Sequence, residues 1–193
     1  MTNKRQQQTQ KLVLGAVLTA LVVILQLLGS FIKFGTFSVS LVLIPIVLGA
    51  AMCGYKIGAW LGFVFALTVM ISGDAAVFYS ISVPGTIATV FVKGIMCGLL
   101  AGITYKLFER KNRYIAIILS AIICPIVNTG IFLIGCLVFF MPEITAWSVA
   151  EGSSNVAAYM FLVLAGGNFV FELLVNIVLS PVVLRILNYK KKL

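Results

Sequence analysis

Along the chain, long apolar runs alternate with short polar breaks. The runs fall at about residues 11–29, 39–53, 57–72, 85–107, 114–140 and 157–187, and the segments between them are rich in Gly, Ser, Pro or charge. A helix rises 1.5 Å per residue, so roughly 20 apolar residues cover a hydrocarbon core of about 30 Å. Six such runs predict an all-α integral membrane protein: a compact bundle of six transmembrane helices, forming a single domain over residues 1–193. The second and third runs are shorter than an ideal span, with only Gly54, Tyr55 and Lys56 between them. A tight turn there predicts two antiparallel helices.

Composition agrees with the pattern. Of the 193 residues 62% are hydrophobic and 10% charged, with a mean hydropathy of +1.16; soluble domains are about half apolar and a quarter charged. The basic opening MTNKRQQQTQK leads into an apolar run without a small-residue cleavage site, so the first span is expected to be retained. Lys4, Arg5 and Lys11 precede run 1, Lys56 separates runs 2 and 3, and Lys106, Arg110, Lys111 and Arg113 separate runs 4 and 5. Arg185, Lys190, Lys191 and Lys192 close the chain. The alternate loops hold only Lys33, Asp74, Glu143 and Glu151. The positive-inside rule therefore places both termini in the cytoplasm. The net charge of +9 belongs mostly to span ends, where anionic headgroups attract it, and no separate basic domain exists to bind nucleic acid.

Chemistry narrows next. The chain has no histidine, and its four cysteines, Cys53, Cys97, Cys124 and Cys136, show no CxxC spacing. Zinc sites and His-dependent nucleophiles lose their usual residues, so no metal, cofactor or catalytic residue is expected.

Ionisable groups inside spans are costly, which singles out Lys93 in run 4 and Glu172 in run 6. Lys93 lies 13 residues before Lys106, Glu172 lies 13 before Arg185, and Asn128 lies 14 after Tyr114. All three then fall at one height, roughly 20 Å from the cytoplasmic ends. Asn168, Glu172 and Asn176 repeat at i, i+4 and i+8, a polar stripe on one helix face expected to point inward. Two readings stand side by side: a structural ion pair satisfied by amides, or a site for a polar solute. Buried pairs add little net stability, which favours the solute. The loop SGDAAVFYSISVPG adds Asp74 and Tyr79 as outer candidates, and the last loop adds Trp147; these aromatics suit an interfacial anchor as well as a lid. Gly58 and Gly62, with Gly94, Gly98 and Gly102, form small-xxx-small faces expected to pack closely. Pro45, Pro125 and Pro181 are expected to bend their helices, and Gly166 with Gly167 to loosen the last one.

Six runs in about 190 residues, the step Ala16-Val17-Leu18-Thr19-Ala20 after a basic N-terminus, Leu43-Ile44-Pro45-Ile46-Val47-Leu48-Gly49-Ala50, and Gly58-Ala59-Trp60-Leu61-Gly62 together make a pattern. It resembles the substrate-binding S component of energy-coupling factor (ECF) vitamin transporters, over nearly the full length. The resemblance implies a bacterial plasma-membrane protein holding one water-soluble vitamin beneath its outer loops. It implies that Ala16 and Ala20 contact a transmembrane coupling subunit driven by two cytoplasmic ATPases. No GxxxxGK[ST] loop occurs here, so ATP hydrolysis would fall to those partners and this chain would not be an enzyme. The pantothenate type is the nearest likeness, with Lys93 meeting the vitamin carboxylate and Asn128, Asn168 and Glu172 its hydroxyl and amide groups. Riboflavin or another vitamin, thiamin and queuosine precursors among them, is the rival in the same role. A proton-coupled secondary transporter built on Glu172 and Lys93 is the alternative of another class.

Overall fold

The computed structural model describes residues 2–30, 33–34, 37–38 and 41–190. Its elements in chain order are α1 (Thr2–Gly29), a hairpin of β1 (Lys33–Phe34) and β2 (Phe37–Ser38), α2 (Leu43–Cys53), α3 (Tyr55–Ser72), α4 (Ala76–Tyr79), α5 (Val83–Phe108), α6 (Arg113–Phe139), α7 (Met141–Ala150), α8 (Val156–Tyr159), a π-helical segment (Met160–Leu164) and α9 (Gly166–Lys190). The two short strands pair antiparallel, Lys33 opposite Ser38 and Phe34 opposite Phe37.

Five helices are long and apolar enough to cross a membrane: Gln8–Gly29, Tyr55–Ser72, Val83–Phe108, Arg113–Phe139 and Gly166–Asn188. The second apolar run differs from expectation. Its helix starts at Leu43 and has 11 residues, about 16 Å of rise, half the thickness of a hydrocarbon core. Pro45 lies in its first turn, where a missing N–H costs nothing, so it marks the start of α2 instead of bending it. Gly54, at φ 98°, then reverses the chain directly into α3.

The packing explains why so short a helix is so apolar. Neighbouring pairs run α1–α3, α3–α5, α5–α6 and α6–α9, and α2 lies against all five of these helices. Val42, Leu43, Ile46, Val47 and Ala50 are buried in the main core with Leu18, Val22, Leu61, Phe65 and Cys97. The long helices turn large side chains such as Leu12, Ile71, Val138 and Val178 outward, as a lipid-facing surface requires.

α3 and α5 meet backbone to backbone. A Cβ on Gly58 or Gly62 would meet the carbonyl oxygen of Gly98 or Gly94, and the converse holds for Gly98 and Gly94. The small-residue faces read from sequence are this seam. Caps fix the neighbouring ends: Ser82 Oγ accepts from the Gly85 amide at 3.2 Å at the start of α5, and Asn112 Oδ1 from the Tyr114 amide at 2.8 Å at the start of α6. The sixth apolar run is interrupted. The Ala165 amide donates to Met160 O at 3.1 Å, a π-type bond, and α9 begins only at Gly166.

Candidate functional site

Asp74 sits just after Gly73, whose φ of 79° ends α3. Its Oδ2 accepts from Gln26 Nε2 at 2.6 Å and from Ser72 Oγ at 2.9 Å. This ties the α3–α4 turn to α1, 48 residues away in sequence. Below it, Lys93 is brought inward because Gly94 is pressed against α3. Its ammonium lies over the rings of Phe65 at 5.7 Å and Phe132 at 5.6 Å, in the field of the Glu172 and Asp74 carboxylates. From α6, Asn128 Nδ2 donates to Glu172 Oε2 at 3.4 Å.

These groups surround one inner cavity of about 80 Å³, lined among others by Gln26, Phe65, Asp74, Lys93, Asn128, Thr129, Phe132, Asn168 and Glu172. An outer chamber of about 250 Å³ adjoins it, sharing Asp74, Phe78 and Leu164 and adding Val77, Trp147, Ala150, Glu151 and Tyr159. Its cover comes from α4, α7 and α8, whose Phe78, Ile144 and Tyr159 pack with Cys136 and Phe140 at that end of α6. Phe78 packs edge-on to Phe132 at 5.6 Å and to Trp147 at 6.1 Å, so one ring borders both spaces. Glu151 Oε1 accepts from the Tyr159 hydroxyl at 3.2 Å.

Five of the six sequence-predicted ligand residues thus converge: Lys93, Asn128, Asn168, Glu172 and Asp74 all border the inner cavity. Tyr79 does not. Its hydroxyl donates to Met70 Sδ at 3.1 Å, and its ring packs on the main core. Asn176, one turn further along the same stripe, is buried as well, and its Nδ2 donates to the backbone oxygen of Glu172 at 2.8 Å. Ala16 and Ala20 lie exposed on the outer face of α1.

Gln26 was not anticipated. It is 2% exposed, and a lone amide in a leucine-rich run carries the same signal that marked Lys93. The amide orientation is fixed by its partner, since Oε1 turned toward Asp74 would set two acceptors face to face. Gln26 Oε1 is left without a donor, and so is Asn128 Oδ1 on a residue 5% exposed. Buried acceptors of this kind cost about 1–3 kcal/mol unless something donates to them. Among the described residues, no three His, Cys, Asp or Glu side chains gather as a metal site.

Membrane-crossing helices around a polar, partly unsatisfied cavity, covered by short loop helices, define a multi-pass membrane protein that binds a solute. The model of the ECF transporter substrate-specific component family matches residues 10–187, and the chain belongs to that family. It is a transporter subunit, not an enzyme. No curated protein and no solved structure matches the chain.

Proposed function

We propose that this chain captures a small water-soluble vitamin or cofactor precursor in the inner and outer chambers and delivers it through an ATP-driven ECF complex. The observation that carries the reading is the pair of buried acceptors, Gln26 Oε1 and Asn128 Oδ1, in a cavity that also holds Lys93, Asn168 and Glu172. A purely structural ion pair gives no reason for acceptors to be left open. The inner cavity alone is smaller than the ~300–1,000 Å³ of ordinary ligand sites, and the two chambers together reach that range.

In this reading residues 1–193 form one transmembrane domain with both termini in the cytoplasm of a bacterial plasma membrane. The second apolar run of the sequence, at about residues 39–53, counts as the sixth crossing. The charge bias of the loops supports that orientation. Ala16 and Ala20, exposed on α1, offer a flat face for the coupling subunit, and two cytoplasmic ATPases drive transport. Pantothenate is the specific candidate that the sequence resemblance offers, its carboxylate matched to Lys93, and the same cavity also holds the acids Glu172 and Asp74, which oppose an anion.

The test is mass spectrometry of small molecules that co-purify with the detergent-extracted protein, beside a Lys93→Ala variant. A vitamin bound to wild type and depleted from the variant is expected. An empty, monodisperse wild type that also ignores added vitamins would overturn the proposal. Uptake that survives loss of the ATPases would point instead to a secondary transporter.

A further inference from the structure

The chain is strongly basic, with 14 Lys and Arg against 5 Asp and Glu, yet the chambers reverse that balance. Three of the five acids, Asp74, Glu151 and Glu172, line them, whereas Lys93 is the one basic side chain among the described lining residues. Setting Lys93 against Glu172 still leaves Asp74 at the junction of the two spaces and Glu151 above it. Among the described residues, Gln26 and Ser72 both donate to Oδ2 of Asp74. Gln26 Oε1 and Asn128 Oδ1, both on buried residues, are acceptors with no donor among the described residues. The rings of Phe78 and Trp147 line the outer chamber together with Asp74.

We infer that the ligand of these chambers carries a protonated amine or amino-heterocycle, seated against Asp74 and donating to Gln26 Oε1 and Asn128 Oδ1, and is not a simple carboxylate. The inference rests on the chambers being the ligand site. Each open group is an acceptor or an anion, so each is met by an N–H donor, and a positive ligand also gains from the neighbouring π faces. A carboxylate at the same place would face Asp74 and Glu151 and would leave both amide oxygens unsatisfied. Entry through the outer chamber has the same sign preference, because a space lined by acids in low-dielectric walls raises the local concentration of cations.

The experiment compares binding to the full-length protein in detergent, by calorimetry, for compounds that differ mainly in charge. Pyridoxamine, pyridoxine and 4-pyridoxate share one ring, and thiamine and pantothenate extend the cationic and anionic sides. Amine members are expected to bind at least tenfold more tightly than their carboxylate or hydroxyl counterparts, and Asp74→Asn to reduce that preference at least tenfold. The wild-type ranking needs no variant, so a misfolded Asp74→Asn would leave the decision intact. Tight binding of pantothenate with no amine preference would overturn this inference while leaving the vitamin-binding role standing. Failure of every member to bind would sink both. A preference for the anionic members would overturn it too.

Discussion

Gly62→Ala tests the seam that sets the depth of Lys93. A Cβ at residue 62 meets the carbonyl oxygen of Gly94, far inside normal contact, and the obstacle is backbone that cannot rotate away. Restoring ordinary separation of about 3.5 Å requires α3 and α5 to part by on the order of 1 Å. Overpacking of this kind costs about 1–3 kcal/mol, against a helix-propensity gain of at most about 1 kcal/mol for Ala over Gly. The expected net is a loss of about 1–2 kcal/mol. Gly130 in α6 is the internal control, because a Cβ there meets nothing within 4 Å and the propensity gain stands alone. For a protein of this size 1 kcal/mol moves Tm by about 2–4 °C. Thermal unfolding in detergent should therefore show Gly62→Ala falling by about 2–8 °C and Gly130→Ala level or higher. Lys93 precedes Gly94 on α5, so ligand affinity should fall in the first variant and not in the second. A Gly62→Ala protein as stable as wild type would show that the seam is not close-packed and refute the argument.

Lys93→Met should weaken binding of a carboxylate ligand such as pantothenate at least tenfold, read by calorimetry, and leave an amine ligand seated at Asp74 bound, while the thermal transition stays cooperative. Gln26→Leu removes the open acceptor Oε1 offered to the ligand, a charge-assisted bond of about 1.5–3 kcal/mol when a protonated amine donates to it, so Kd should rise about ten- to hundredfold; an unchanged Kd would remove Gln26 from the site. Replacing Ala16 and Ala20 by Leu on the exposed face of α1 should abolish uptake in cells and leave detergent-phase binding within twofold of wild type. Equal losses in both assays would make that face part of the fold.

Five long helices were legible because a continuous apolar run of sufficient length has few other uses. The second run was legible as apolar but not as to length. Hydropathy counts residues 39–53 alike, whereas Pro45 in the first turn sets where the helix begins. The sixth run hid its break for a related reason. Residues 157–165 are as apolar as the rest of the run, and hydropathy carries no information on whether a carbonyl is met four or five residues later; Gly166 and Gly167 were the available signal. Of the site, Lys93, Asn128 and Glu172 could be placed at one depth because each lies on a regular helix with a countable distance to its charged end. Tyr79 could not be judged, since a four-residue helix in a loop has no register to extrapolate, and its hydroxyl turns to Met70. Gln26 acquires meaning only through the rotation of α1 toward Asp74, a contact that no local pattern encodes.

The cavity is held between two walls of different stiffness. On one side α3 and α5 are in backbone contact at Gly58–Gly98 and Gly62–Gly94, so the distance from Phe65 to Lys93 is set by atoms that have no rotamers. On the other, Leu164 ends a π-helical segment whose Phe161, Leu162 and Val163 face outward, Ala165 and Asn168 come after it, and α9 begins afresh at Gly166. An interrupted helical ladder is cheaper to adjust than a close-packed seam, because fewer native contacts are lost per ångström of displacement. The fixed wall carries the cation, and the yielding wall carries Asn168 and Glu172. Any fitting of the cavity to its occupant is therefore least costly at the carboxylate and amide side, with Lys93 as the stationary reference.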